Sequence, residues 1–121
     1  MRWLLHGNLT PAVGDALKRR GDAVQTPAEA GVESAAAPEL FQAANAKQLD
    51  VLTADQNLAH APFEQQISFG RSLVFLQLEG GDVEQDDAVE RLFKRYKRLT
   101  PGRLYTVTAT RVKIRQLPGA K

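Results

Sequence analysis

Short apolar runs recur along this chain, each closed by polar residues, and between them apolar positions return at helical spacing. Trp3-Leu4-Leu5 predicts a first strand. Thr10 ahead of Pro11, followed by Val13, Ala16 and Leu17, predicts a capped helix running to about Arg20 and stopped by Gly21. Ala23-Val24-Gln25 reads as a short second strand, and Thr26 to Ala37 as a loop or marginal helix. A second helix is expected from about Pro38 to Lys47, with Leu40, Phe41 and Ala44 on one face. Val51-Leu52-Thr53 is the third strand, and a short irregular or helical region follows Asp55 through Gln66. Leu73-Val74-Phe75-Leu76 has no polar alternation, as expected of a strand covered on both faces. Gly80-Gly81 reads as a turn. Asp82 with Gln85 resembles a capping box, ahead of a helix from about Val83 to Leu99 with Val89, Leu92, Phe93 and Tyr96 facing inward. Thr100-Pro101-Gly102 is a turn, after which Leu104–Ala109 and Arg111–Leu117 alternate as a terminal hairpin.

This alternation predicts an α/β fold: one three-layer α/β/α domain over residues 1–121, with a mostly parallel sheet and an antiparallel C-terminal hairpin. If the first strand lies between the second and third, His6 and Asp55 meet at the topological switch point, where open sheets bind their ligands. Composition narrows the setting. Absence of cysteine excludes disulfides, thiolate metal sites and a cysteine nucleophile. No apolar run approaches the ~20 residues that span a bilayer, so no membrane partner is expected. The start, Met1 to His6, is too short for a secretory leader and reads as a strand; a cytoplasmic protein is expected.

Charge is segregated. Residues 1–90 carry 14 acids against six Lys/Arg, a net −8, whereas residues 91–121 carry ten Lys/Arg and no acid. Such segregation marks either a nucleic-acid contact or a surface for an acidic partner. On the long helix, Glu84, Asp86, Asp87 and Glu90 precede Arg91, Lys94, Arg95, Lys97 and Arg98, an order that suits the helix dipole and permits i,i+4 pairs. That account leaves out Arg103, Arg111, Lys113 and Arg115. In the last strand Arg111, Lys113 and Arg115 alternate with apolar or neutral residues and are expected on one face. They serve either to protect a sheet edge or to contact RNA phosphates. Tyr96 and Tyr105 are the nearby aromatics for base stacking.

The polar strand ends hold the candidate chemistry. His6 is either a hydrogen-bonded structural residue or a ligand. Asn8 and Thr10 order a turn and cap a helix, or line a site. Thr53 is a strand residue or a site hydroxyl, and Asp55 a helix cap or a functional carboxylate. Glu39 lies in the first turn of a helix, where negative charge is favoured in any case. His60 is expected in a polar loop, solvated.

Taken together, Leu4-Leu5-His6-Gly7-Asn8-Leu9-Thr10-Pro11, Ala37-Pro38-Glu39-Leu40-Phe41, Thr53-Ala54-Asp55-Gln56-Asn57-Leu58 and the basic Arg111-Val112-Lys113-Ile114-Arg115 resemble a short PIN-like domain. That family includes the VapC-like toxin ribonucleases and compact PIN-like proteins found in toxin–antitoxin-type gene pairs. The resemblance implies a ribonuclease ancestry, an RNA substrate, an antitoxin-like protein partner and, as in many relatives, a homodimer. It also implies Mg²⁺ or Mn²⁺ held by converging carboxylates, the metal activating water and stabilising charge on phosphate. Here His6, Gly7, Ala37 and Asn57 stand where the family places acids, while Glu39 and Asp55 remain.

Three readings follow from this depleted set. Asp55, Glu39 and His6 still hold a metal and act as catalytic residues; or the domain persists as a binding module, with Asn8, Thr53, Asn57, Arg111, Lys113 and Arg115 among its contacts; or it acts through another surface. Asp55 at the end of the third strand also resembles the phosphoacceptor of receiver domains, but His6-Gly7 stands where those need an acidic pair.

Overall fold

In the computed structural model, which describes residues 1–79 and 81–118, the strands form one six-stranded sheet between two helical layers. Strand β1 (Arg2–His6) is followed by α1 (Pro11–Arg19), β2 (Ala23–Gln25), α2 (Ala37–Lys47) and β3 (Asp50–Thr53). Then come α3 (Gln56–Glu64), β4 (Leu73–Leu76), α4 (Asp82–Arg95), β5 (Arg103–Val107) and β6 (Val112–Gln116). The order across the sheet is β2-β1-β3-β4-β5-β6, parallel through β5, with β6 antiparallel at the edge. This is the expected α/β/α fold. β1 lies between β2 and β3, so the switch point falls between β1 and β3.

Side-chain alternation along the strands divides the core in two. Leu4, Val51, Leu73, Phe75 and Leu104 pack against α2 and α3, including Leu40, Phe41 and Leu58. Trp3, Leu52, Val74, Leu76, Tyr105 and Val107 pack against α1 and α4, including Val13, Leu17, Val89 and Leu92. Every residue of β4 is buried, which explains its uninterrupted apolar run.

Of the two alternatives for the segment after Thr26, the loop is the one found: residues 26–36 make turns, tied by Ala30 and Val32 N–H bonds to Thr26 and Pro27 carbonyls. Other local expectations are corrected. α4 ends at Arg95, and its N-cap is Gly81. The Asp82/Gln85 capping box does not form. Gln85 is buried and its Oε1 accepts from the backbone N–H and hydroxyl of Thr10, 2.9 and 3.2 Å away. Thr10 therefore sits at the N-cap position of α1 without capping it, and instead ties α1 to α4. His60 is not in a loop but on α3, its ring edge-on to Phe75 at 6.2 Å. Gly80, half of the expected turn, lies outside the described residues.

Candidate functional site

Parallel strands put the β1–α1 and β3–α3 connections side by side at the carboxyl edge, and register pairs His6 with Thr53. Thr53 is fully buried and its hydroxyl organises this corner. Its Oγ1 lies 2.9 Å from His6 Nδ1 and accepts the Asp55 backbone N–H at 2.9 Å. With that N–H donated to it, the buried hydroxyl keeps its own hydrogen satisfied by donating to Nδ1. This assignment leaves His6 neutral, with the proton on Nε2. Burial lowers the His6 pKa below the ordinary 6.5, and the negative charge of Asp55 offsets this only in part. Protonating Nδ1 would also deprive the Thr53 hydroxyl of its acceptor.

Asp55 is the N-cap of α3. Its Oδ1 accepts the Asn57 backbone N–H at 2.9 Å, satisfying one of the first free donors of that helix. Asn57 itself is exposed and contributes this N–H rather than its amide. Gly7 has φ +84°, and a Cβ there would stand 3.2 Å from the Asp55 nitrogen and 3.4 Å from its Cβ. The missing side chain and the left-handed φ at this residue let the β1–α1 loop lie close against the β3–α3 loop. The acid that the resemblance places at position 7 would meet a strained backbone and a tight contact with the Asp55 backbone here. Asn8 is exposed at the loop tip, and Glu39 is exposed in the first turn of α2.

His6, Thr53, Asp55 and Asn57 thus come together. Glu39 does not join His6 and Asp55 as a metal-holding trio: among the described residues, no three His, Asp or Glu side chains are placed to hold an ion. Asp55 is committed through one oxygen to its cap, and the His6 nitrogen facing Thr53 is committed to that hydroxyl. This donor set does not fit a hard divalent ion, which wants several converging oxygens.

Away from this corner, Lys113 and Arg115 lie on exposed β6, with Lys113 paired to Thr106 and Arg115 to Leu104. The two share one face, as expected. Arg111 belongs to the hairpin turn, where its N–H donates to Thr108 Oγ1. The Arg115 guanidinium stacks on Phe63 at 3.7 Å. Tyr105 is buried and its hydroxyl accepts from the Thr100 N–H, so it offers no stacking face. The i,i+4 ion pairs anticipated in α4 do not form among the described residues: the acids that pair, Asp86 and Glu90, reach Arg19 of α1 instead.

Among the described residues no helix is long and apolar enough to cross a membrane. No protein-family model matches the chain, and neither a curated protein nor a solved structure matches it.

Proposed function

We propose that this protein is a PIN-like domain with an impaired nuclease centre that works as an RNA-binding module, within a toxin–antitoxin-type pair. One observation supports binding above all. Every ion pair among the described residues uses a base from the first 71 positions of the chain, so none of the basic residues between 91 and 115 is held in one. Arg91 donates to the Thr108 carbonyl, Arg95 lies over Tyr96, and Arg115 over Phe63. None of these contacts cancels the charge, which stays available to a polyanion. The switch-point corner supports impairment, since its polar groups serve one another and the α3 cap.

Purified protein incubated with single-stranded RNA, with and without Mn²⁺, tests this reading. RNA is expected to be retained intact, with affinity falling as salt rises. Mn²⁺-dependent cleavage that Asp55→Ala abolishes would overturn impairment and establish an atypical metal-dependent ribonuclease instead. No RNA retention even at low salt, with an antitoxin-like protein bound, would move the function to a protein partner.

A further inference from the structure

We propose that RNA phosphates dock on the amino edge of the sheet, the end opposite the switch point, an inference that rests on the RNA-binding reading above. In this topology each helix runs antiparallel to the strands, so helix C-termini and strand N-termini meet at one edge. Basic residues collect there by two routes. Helices place bases in their last turns: Lys18 and Arg19 in α1, Lys47 in α2, Lys94 and Arg95 in α4. Strands and their approaches add Arg2, Arg71 and Arg103, and the α4–β5 connection adds Lys97 and Arg98.

Acids at this edge are mostly spoken for. Asp22 is 7% exposed and pairs with the Met1 amino group and Arg20, while accepting from Trp3 Nε1 at 3.0 Å. Asp50, 3% exposed, accepts the Ser72 N–H at 2.9 Å and faces Arg71 at 3.5 Å. Asp86 and Glu90 pair with Arg19, and Glu64 at the end of α3 is exposed. Between Asp22 and Asp50 lies an open hollow of about 410 Å³ flanked by Arg20, Arg71, Lys97 and Arg98. Arg71 keeps a buried Nε with no hydrogen-bond partner among the described residues. Lys97 and Arg98 are exposed and make no ion pair among the described residues.

The opposite edge has the opposite sign. Glu39, Asp55, Asp82 and Glu84 occupy or cap the first turns of helices. Lys113, one of the three bases expected from the sequence to contact RNA, shares its hollow with Glu79, Glu84 and Asp87. A phosphate approaching Lys113 meets three carboxylates beside Arg91; one approaching Lys97 meets Arg20, Arg71 and Arg98, with the carboxylates of Asp22 and Asp50 largely buried beneath them. Coulomb repulsion at such range is only partly screened at physiological salt. Within the hairpin, Lys113 is thus the poorer phosphate contact, whereas Arg115 pairs with Leu104 toward the amino edge.

Two matched double variants test the location, since each removes two exposed positive charges from the chain. Lys97→Ala with Arg98→Ala is expected to weaken binding of a labelled single-stranded RNA by about tenfold and to flatten the log K against log salt slope by about 1.4, for two phosphate contacts. Arg111→Ala with Lys113→Ala is expected to change affinity less than ~twofold by the same counterion reasoning. Thermal melts of both variants confirm that the fold is retained. Equal losses would mean that net charge alone is read, and a larger loss from the hairpin pair would put the RNA there; either overturns this inference and leaves RNA binding standing. No RNA binding by the unaltered protein overturns both.

Discussion

At the carboxyl edge, the β1–α1 and β3–α3 loops are joined through one buried hydroxyl, Thr53, and one helix cap, Asp55. At the amino edge, two buried carboxylates gather backbone and cationic donors: Asp22 around Trp3 and Arg20, Asp50 around Ser72 and Arg71. The difference is one of charge and of what is left over. Each buried acid at the amino edge neutralises what lies beneath it and leaves the surrounding bases in excess. At the carboxyl edge, acids in the opening turns of helices complement the helix dipoles and leave the surface negative. The usual ligand edge of this sheet is acidic, whereas the other edge carries the exposed Lys97 and Arg98 beside Arg20 and Arg71, and the proposed phosphate docking rests on that contrast.

The largest effect that tests this contrast is expected at Asp50. Asp50→Ala strands the Ser72 N–H and loosens Arg71, and should cost about 2–3 kcal/mol in urea unfolding. Asp50→Asn, which keeps an acceptor for Ser72, should recover part of that loss. A cost near zero for Asp50→Ala would mean that the amino edge does not depend on its buried acid. Next comes Thr53→Val, nearly isosteric, which removes the acceptor of the Asp55 N–H in a fully buried place. About 1–2 kcal/mol is expected, together with faster hydrogen exchange at the Asp55 amide. Unchanged exchange would show that the two carboxyl-edge loops are held by something other than this hydroxyl.

The smallest effect is a pH dependence. Folding lowers the His6 pKa below 6.5, so the unfolded chain takes up this proton more readily than the folded one. The contribution of neutral His6 to stability is therefore complete above pH 6.5 and is lost as pH falls through its lowered folded value. Unfolding measured from pH 8 to about pH 5 should show this decline, and His6→Gln should flatten it. If both proteins decline alike, the loss belongs to other groups.

Much of the architecture was legible along the chain because it depends on local periodicity. The apolar run of β4, the alternation in β5 and β6, and the helical faces of α1 and α2 all lie where the pattern puts them, within a residue or two. The strand-end location of His6, Thr53 and Asp55 was legible for the same reason. Partnerships were not. Gln85 reads locally as a capping residue, yet it bonds Thr10 across 75 positions, because α1 and α4 pack together on one face of the sheet. The acids of α4 read as i,i+4 partners of the bases that follow, yet Asp86 finds Arg19 at 2.6 Å. Gly7 carries no local signal that its Cα lies against Asp55.

The sequence by itself determined the class of fold, the residues at the strand ends, the shortage of carboxylates there and the excess of positive charge after residue 90. Those follow from residue types and from periods of two and 3.6, which need no knowledge of neighbours. Only the tertiary structure decided that Glu39 does not join His6 and Asp55, and that Lys113 stands beside Glu79, Glu84 and Asp87 while Lys97 and Arg98 stand beside Arg20 and Arg71 above two largely buried acids. Parallel strands with returning helices sort the chain by end rather than by sequence position. Charges separated widely along the chain, such as Arg20, Arg71 and Arg98, are thereby brought to one edge, and electrostatic energy depends on that distance through space alone.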